Sequence, residues 1–232
     1  ANRFTSACSA TIFRDETFGP EIYGNSFVCE PVHNLVHREI LRLEGTTFRS
    51  RKPEDEARTE FLASRDGWFR PSMVRTGPDG ALWIADMYRL VIEHPEWIPK
   101  DWQAKLDLRA GNDKGRLYRV YPTQLGTFAI PKLADLGPKE LVAKLETTSG
   151  TLRDLVLQQI VERYKGRTTR TPEVGQVSDA LHKLFRESSR PTARLAAMCA
   201  MSLLDDELDT LVLRAALDDK HPGVRRWALR LV

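Results

Sequence analysis

The stretch RPSMVRTGPDGALWIADMY, residues 70–88, decides the interpretation of the first half of the chain. It predicts two strands joined by a three-residue loop. Pro78 presets φ for the first loop position, and Gly80 can adopt a positive φ at the last. The second strand, residues 81–86, is apolar on both of its faces up to a final aspartate. A strand that is covered on both sides is typical of stacked sheets such as propeller blades.

An internal repeat extends this interpretation. The runs GNSFVCE (24–30) and GALWIAD (80–86) both consist of a glycine, five mostly apolar residues and a carboxylate. Each is followed by a further strand-like run, NLVHR (34–38) or GRLYR (115–119). Repeated units of a few strands are the signature of propeller blades. Residues 1–122 are therefore predicted to form about two C-terminal blades of a β-propeller that belongs to a longer chain.

The apolar period becomes helical after a linker at residues 123–137. Predicted helices span Pro138–Glu146, Thr151–Tyr164, Pro172–Glu187, Thr192–Leu204, Asp206–Asp218 and Pro222–Val232. Three of them share a frame in which an arginine precedes a small or branched apolar residue by three positions, namely Arg153, Arg194 and Arg225. Short helices repeated in one frame are typical of HEAT repeats. The predicted fold class is thus multidomain, with a partial all-β propeller followed by an all-α HEAT-type solenoid at residues 138–232.

The composition excludes several classes of protein. The 232 residues carry a formal net charge of +3, without the concentrated basic patch that phosphate neutralisation needs, so nucleic acid is not an expected partner. No apolar run reaches the roughly 20 residues of a transmembrane helix. The three cysteines contain no C-x-x-C pair, which excludes a haem-attachment motif and a zinc ribbon from this sequence. Cys8 and Cys29, both in strand-like runs, are a candidate disulfide if the protein is exported.

Two carboxylates end equivalent strands of the repeat. Glu30 and Asp86 each follow a glycine by six residues, so both are expected at the same end of the propeller. There they could bind Ca²⁺ or a polar ligand. The alternative is that each caps a turn or pairs with an arginine such as Arg75 or Arg38.

Two histidines are candidate general bases for a site at this end. His33 directly follows the Glu30 strand, and His94 lies in the long insertion Arg89–Lys114, whereas His37 falls within a strand and is expected to be structural. Trp97 and Trp102 of the insertion could stack on a sugar or quinone ring, but are expected to pin the loop to the sheet. The ligand-binding residues of the predicted pocket are Glu30, Asn34, Asp86 and Arg75.

Five runs of the sequence together carry a family resemblance: FTSAC (4–8), GNSFVCEPVHNLVHR (24–38), WFRP (68–71), GPDGALWIAD (77–86) and GRLYRV (115–120). They resemble the membrane-bound dehydrogenases of planctomycete-type bacteria. In that family, a propeller similar to soluble quinoprotein glucose dehydrogenase precedes HEAT repeats and a c-type haem domain.

The resemblance implies a periplasmic or cell-envelope enzyme that oxidises an alcohol or a sugar. It implies a quinone and Ca²⁺ as cofactors of the full-length protein, and the remaining blades and the haem domain as intramolecular partners of this chain. The haem motif itself is not in the sequence. The alternative is a non-catalytic scaffold of propeller and HEAT repeats that binds polysaccharide or protein, with a protein partner on the solenoid.

Overall fold

A computed structural model describes residues 4–125, 130–166, 171–205 and 208–231. The chain divides into two compact units, residues 1–128 and 129–232, and each is described here by itself. The first unit is built mainly of strands and the second of helices. This order confirms the coarse prediction of a β part followed by an α part. Residues 126–129 of the predicted linker 123–137 lie outside the described ranges.

The strands of the first unit form two antiparallel sheets. Apart from β5, neighbouring strands in each sheet are consecutive in the chain. The first sheet contains β1 (Cys8–Ile12), β2 (Ser26–Glu30), β3 (Leu35–Glu44) and β4 (Thr47–Arg51), with the two-residue β5 (Leu62–Ala63) paired to β3. The second sheet contains β6 (Pro71–Thr76), β7 (Leu82–Asp86) and β8 (Arg116–Val120).

The loop between β6 and β7 confirms the three-residue hairpin. The amide of Gly77 donates to the Ala81 carbonyl at 2.8 Å, and Gly80 has a φ of +76°. The carboxylate of Asp79 accepts from the Ala81 amide, from Trp83 Nε1 at 3.1 Å and from Arg119 Nε at 2.6 Å. Burial alone would raise the pKa of Asp79, but the hydrogen bonds from Trp83 and Arg119 outweigh it, so this pKa lies below its ordinary value.

The core of the first unit lies between the two sheets. It consists of Phe27, Cys29 and Val36 from the first sheet, of Val74, Leu82 and Ile84 from β6 and β7, and of Phe13 and Phe69, which lie just outside the strands. The opposite face of the second sheet carries an apolar row, because Met73, Ala85 and Leu117 are register partners across its three strands. Met73 and Leu117 are exposed. One face of β7 is therefore covered, while the other remains open within the described residues.

The insertion after β7 holds a short 3-10 helix, Pro95–Trp97, and the four-residue α1 (Lys100–Gln103). Trp97 is 79% exposed and Trp102 is 58% exposed, so the prediction that they pin the loop to the sheet is wrong. The loop is instead held by polar contacts. Gln103 Nε2 donates to the carbonyls of Pro95 and Ile98, both at 2.7 Å.

The second unit contains six further α-helices in its described part: α2 (Pro138–Ala143), α3 (Gly150–Tyr164), α4 (Pro172–Glu187), α5 (Pro191–Asp205), α6 (Thr210–Leu217) and α7 (Pro222–Ala228). Their starts follow the capping side chains, since Ser149, Thr171 and Asp209 each accept a backbone amide of the first turn. The predicted start of α6 at Asp206 lies outside the described residues. None of the described helices is long and apolar enough to cross a membrane.

The three in-frame arginines make equivalent contacts. Arg153, Arg194 and Arg225 each reach back from their helix to carbonyls five to eight residues earlier, at the end of the preceding helix or turn. The acceptors are Leu145 and Thr147, Ser188 and Ser189, and Asp219 and Lys220, respectively. Carbonyls at helix ends lack intrahelical partners, so each arginine satisfies groups that would otherwise be orphaned. The repeated position of these arginines in the sequence therefore corresponds to a repeated hydrogen-bond contact in the structure.

Candidate functional site

Arg70 joins the loops that follow the two carboxylate-bearing strands. Its guanidinium donates to four carbonyls: those of Pro31 at 2.9 Å, Val32 at 3.3 Å, Arg89 at 3.1 Å and Leu90 at 3.2 Å. The first two follow β2, and the last two follow β7. The loop after Glu30 and the start of the insertion after Asp86 are thus held at one end of the two sheets.

Glu30 is fully buried at the end of β2. Both of its carboxylate oxygens lie 3.1 Å from the amide of Ser6, and Oε1 lies 3.2 Å from Nδ1 of His33. A carboxylate that is removed from water requires such donors, because burial penalises an unpaired charge. Glu30 therefore fixes both the segment before β1 and the turn that carries His33.

His33 and Glu30 form a carboxylate–histidine dyad. The side chain of His33 is 34% exposed, whereas that of Glu30 is 0% exposed. Because a carboxylate only accepts hydrogen bonds, His33 Nδ1 must carry the proton of this contact. In the neutral imidazole, Nε2 then keeps its lone pair, and no hydrogen bond or ion pair joins it to any described residue. An imidazole oriented by a carboxylate is the usual arrangement of a general base.

Asp86 caps the end of β7. Its Oδ1 accepts from the amide of Arg70 at 2.7 Å and from the amide of Tyr88 at 2.8 Å. Its Oδ2 is buried and has no hydrogen-bond partner among the described residues. The geometry therefore corresponds to the turn-capping alternative, with one carboxylate oxygen left over.

The cofactors implied by the resemblance do not fit these residues. Ca²⁺ takes six to eight oxygen ligands, whereas Glu30 and Asp86 direct most of their oxygens at backbone amides. The described ranges hold no group of three or more His, Cys, Asp or Glu side chains placed to bind a metal ion. Arg70, the cation beside both strand ends, donates four of its five guanidinium N–H groups to carbonyls, which leaves a single N–H for a quinone.

Two predicted ligand-binding residues hold the backbone. Asn34 has a φ of +57°, and the Nδ2 of its side chain donates to the backbone carbonyls of Phe69 and Gly67. Arg75 Nη1 donates to Ser9 Oγ at 2.9 Å and to its neighbour's carbonyl in β6. Asn34 lies beside His33 in the chain, whereas no described hydrogen bond or ion pair joins Arg75 to either strand-end carboxylate.

The other two histidines are separate from the dyad. His94 begins the short 3-10 helix of the insertion, where its Nδ1 accepts the amide of Glu96 at 3.3 Å. No described hydrogen bond or ion pair connects it to Glu30 or Asp86. His37 lies within β3, and its two ring nitrogens contact Glu60 at 2.6 Å and Glu39 at 2.8 Å. Described hydrogen bonds therefore join Glu30 to His33 and Arg70 to the loop that follows Glu30, and none of them involves His94.

Sequence reasoning did not single out Arg70. The sequence gives little indication of its role, because an arginine before a strand is common. All of its acceptors are backbone carbonyls, which every residue has, so no residue type marks them in the sequence. The only local signal is Pro71, the first residue of β6, because a proline favours an extended conformation of the residue before it.

The two N-terminal cysteines are register partners of β1 and β2. Both are free thiols in the structure, so the disulfide stays a prediction. Burial, and then the proximity of Cys8, raises the pKa of Cys29 to about 12, since Arg75 lowers it by less. The Cys29 thiol is accordingly protonated at neutral pH and is a weak nucleophile.

Comparison with known proteins gives one family. The model of a domain of unknown function, DUF7133, matches residues 1–124, a range that contains all the described strands. No curated protein and no solved structure matches the chain.

Proposed function

The chain belongs to the DUF7133 family, and on this premise we propose that it is part of an extracytoplasmic, quinoprotein-like dehydrogenase in which His33 acts as the general base. The observation that carries the proposal is the dyad, in which a fully buried Glu30 orients an exposed imidazole. The substrate would be an alcohol or a sugar, whose hydroxyl proton would pass to His33 Nε2 while its hydride would pass to an electron acceptor held by other parts of the full-length protein. Glu30 would then stabilise the imidazolium.

The architecture supports this assignment. The open apolar row of Met73, Ala85 and Leu117 is the surface on which a further sheet can stack, as the first sheet stacks on the other face. This supports a propeller of which two blades lie in this chain. The repeated contacts of the in-frame arginines support HEAT-type repeats in the second unit.

The electron acceptor belongs, in this proposal, to other parts of the protein. The remaining blades and a c-type haem domain would be its partners, in the periplasm or at the cell envelope. A Cys-x-x-Cys-His motif downstream in the full-length gene is expected, and its absence would count against electron transfer.

A second candidate function is a protein-binding scaffold, and one observation favours it. A cavity of about 740 Å³ lies between α2 and α4. Its floor is apolar, with Val142 and Leu184, and its rim is charged, with Lys139, Lys183 and Glu187. An apolar floor with a polar rim is the usual anatomy of a protein-binding surface.

The experiment uses the full-length protein with a dye acceptor and a panel of primary alcohols and aldoses. We expect His33→Ala to lower kcat by at least about 100-fold, which is the usual contribution of a general base. Glu30→Gln should lower kcat and shift the pH profile, because it removes the charge that stabilises the imidazolium. The same loss with His94→Ala, but not with His33→Ala, would assign the base to His94. Oxidation that survives all three changes would refute the proposal and leave the scaffold.

A further inference from the structure

The β3–β4 hairpin projects beyond the first sheet. Residues 35–39 of β3 pair with β2, whereas residues 40–44 pair only with β4. All five residues of β4 are exposed. We call residues 40–51 the ribbon. No described strand pairs with the outer edge of β4. An isolated two-stranded ribbon is only marginally stable in water, and an exposed edge presents unpaired backbone donors and acceptors.

The two faces of the ribbon differ in chemistry. Side chains alternate along each strand, so register partners share a face. Leu43 and Phe48 are partners on one face and are 75% and 62% exposed. Arg42 and Arg49 are partners on the other face. The ribbon therefore presents one apolar and one basic face to solvent.

The basic face carries uncompensated charge. Like charges directly opposite each other destabilise a strand pair. Arg49 contacts Glu44, and Arg51 lies 3.5 Å from Glu54, whereas Arg42 has no ion pair or hydrogen bond among the described residues. A carboxylate placed opposite the arginine pair would relieve this repulsion.

We propose that the outer edge of β4 binds an extended segment of a partner protein as an added strand, and that the side chains of this segment alternate between carboxylates and apolar residues. The alternation follows from the period of a strand, which sends successive side chains to opposite faces. The carboxylates then lie beside Arg49 of β4, on the same face as Arg42 of the next strand, while the apolar side chains extend the surface of Leu43 and Phe48.

The free edge distinguishes this occupant from others. A lipid headgroup or a small anion can neutralise the arginines but leaves the backbone groups of β4 unpaired. An added strand satisfies the backbone groups, the basic face and the apolar face together.

The test uses three fluorescein-labelled peptides and the whole chain, with binding followed by fluorescence anisotropy. The probe is (Glu-Val)4. The peptide (Lys-Val)4 reverses its charge, and (Glu-Pro)4 keeps the charge but cannot pair as a strand, because proline lacks an N–H. We expect (Glu-Val)4 to bind at least about tenfold more tightly than either control, and to bind more weakly at high salt.

Variants locate the site. Arg42→Glu combined with Arg49→Glu should weaken (Glu-Val)4 binding by roughly tenfold, since two exposed attractive pairs become repulsive. Arg65→Glu is the control for charge reversal as such, because it makes one of the same two charge changes at an exposed position outside the ribbon. The milder Arg42→Gln should give an intermediate loss and guards against misfolding of the double variant. Equal binding of (Glu-Pro)4, equal loss with Arg65→Glu, or binding of phosphatidylserine vesicles without binding of (Glu-Val)4 would each overturn the proposal.

Discussion

Replacing Arg194 by alanine should destabilise the helical unit severely. Arg194 Nε and Nη2 each donate to a carboxylate oxygen of Asp219 at 2.7 Å, and Nη1 donates to the carbonyls of Ser188 and Ser189. The side chains of Arg194 and Asp219 are only 5% and 7% exposed. The substitution would therefore leave a buried carboxylate without its counter-charge and two carbonyls without a donor.

Breaking a buried ion pair from one side costs about 3–5 kcal/mol, which is a large share of the roughly 5–15 kcal/mol that stabilises a domain. The urea dependence of unfolding is about 1–3 kcal/mol per M for small proteins. The urea midpoint of the helical unit should thus fall by at least about 1 M.

Two signals separate the units in a urea titration of the whole chain. Circular dichroism at 222 nm follows mainly the helices of residues 129–232. Tryptophan fluorescence follows mainly the first unit, which holds four of the five tryptophans. Arg225→Ala is the matched control, because Arg225 is exposed and its contacts with Asp219 and Lys220 go to carbonyls alone. It should cost about 1 kcal/mol.

The effect should depend on pH. The hydrogen bond from Arg194 lowers the pKa of Asp219 below its ordinary value, more than burial raises it. A depressed carboxyl pKa contributes stability above the unfolded pKa of about 3.9, and this stability is lost as pH falls through the folded pKa. The difference between wild type and Arg194→Ala should therefore shrink below about pH 4. A midpoint change at pH 7 no larger than that of Arg225→Ala would refute the reasoning.

Gly80→Ala should destabilise the first unit by at least about 1–2 kcal/mol, because φ is +76° and the new Cβ would clash with the Thr17 hydroxyl. Gly45→Ala, at a φ of +59° with nothing within 4 Å, is its control and should cost less in urea titrations followed by fluorescence. Cys29 should react slowly with a thiol reagent at pH 8 until urea is added, since its pKa is about 12; prompt labelling of the native protein would contradict this. Thiol counting after unfolding without reductant should give one free thiol if the predicted disulfide of Cys29 with Cys8 forms, and three if it does not.

Much of the secondary structure could be predicted because its signals are local. The Gly-Pro-Asp-Gly loop and the starts of α3 and α4 depend on residues within one turn of the boundary. The exposure of Trp97 could not be predicted in this way. It depends on whether a surface lies over the insertion, and the loop instead closes on itself through Gln103.

For the site, the sequence could predict which carboxylates lie at strand ends but not which groups they contact. Equal spacing from a glycine indicated that Glu30 and Asp86 both end a strand, and the loops that follow them are indeed held at one end by Arg70. Their hydrogen-bond donors could not be predicted, because Ser6 is 24 residues from Glu30 in sequence and donates through its backbone amide. Backbone donors leave no residue-type signal.

His33 is favoured as the general base over its neighbours because of the polar atoms at this end that have no described hydrogen-bond partner. The guanidinium of Arg70 donates from all three nitrogens, Glu30 is occupied by an amide and an imidazole, and Asn34 holds the backbone of the Phe69 segment. Three polar atoms of this group have no described hydrogen-bond partner: Nε2 of His33, Oδ1 of Asn34 and the buried Oδ2 of Asp86. An amide oxygen is not a base and the Asp86 oxygen is buried, so the imidazole of the partly exposed His33 is the group among these three that can accept a proton from a substrate in solution. In the proposed reaction, His33 Nε2 is the atom at this end of the sheets that accepts the substrate proton. Substituting His33 therefore tests the proposed chemistry more directly than substituting either carboxylate.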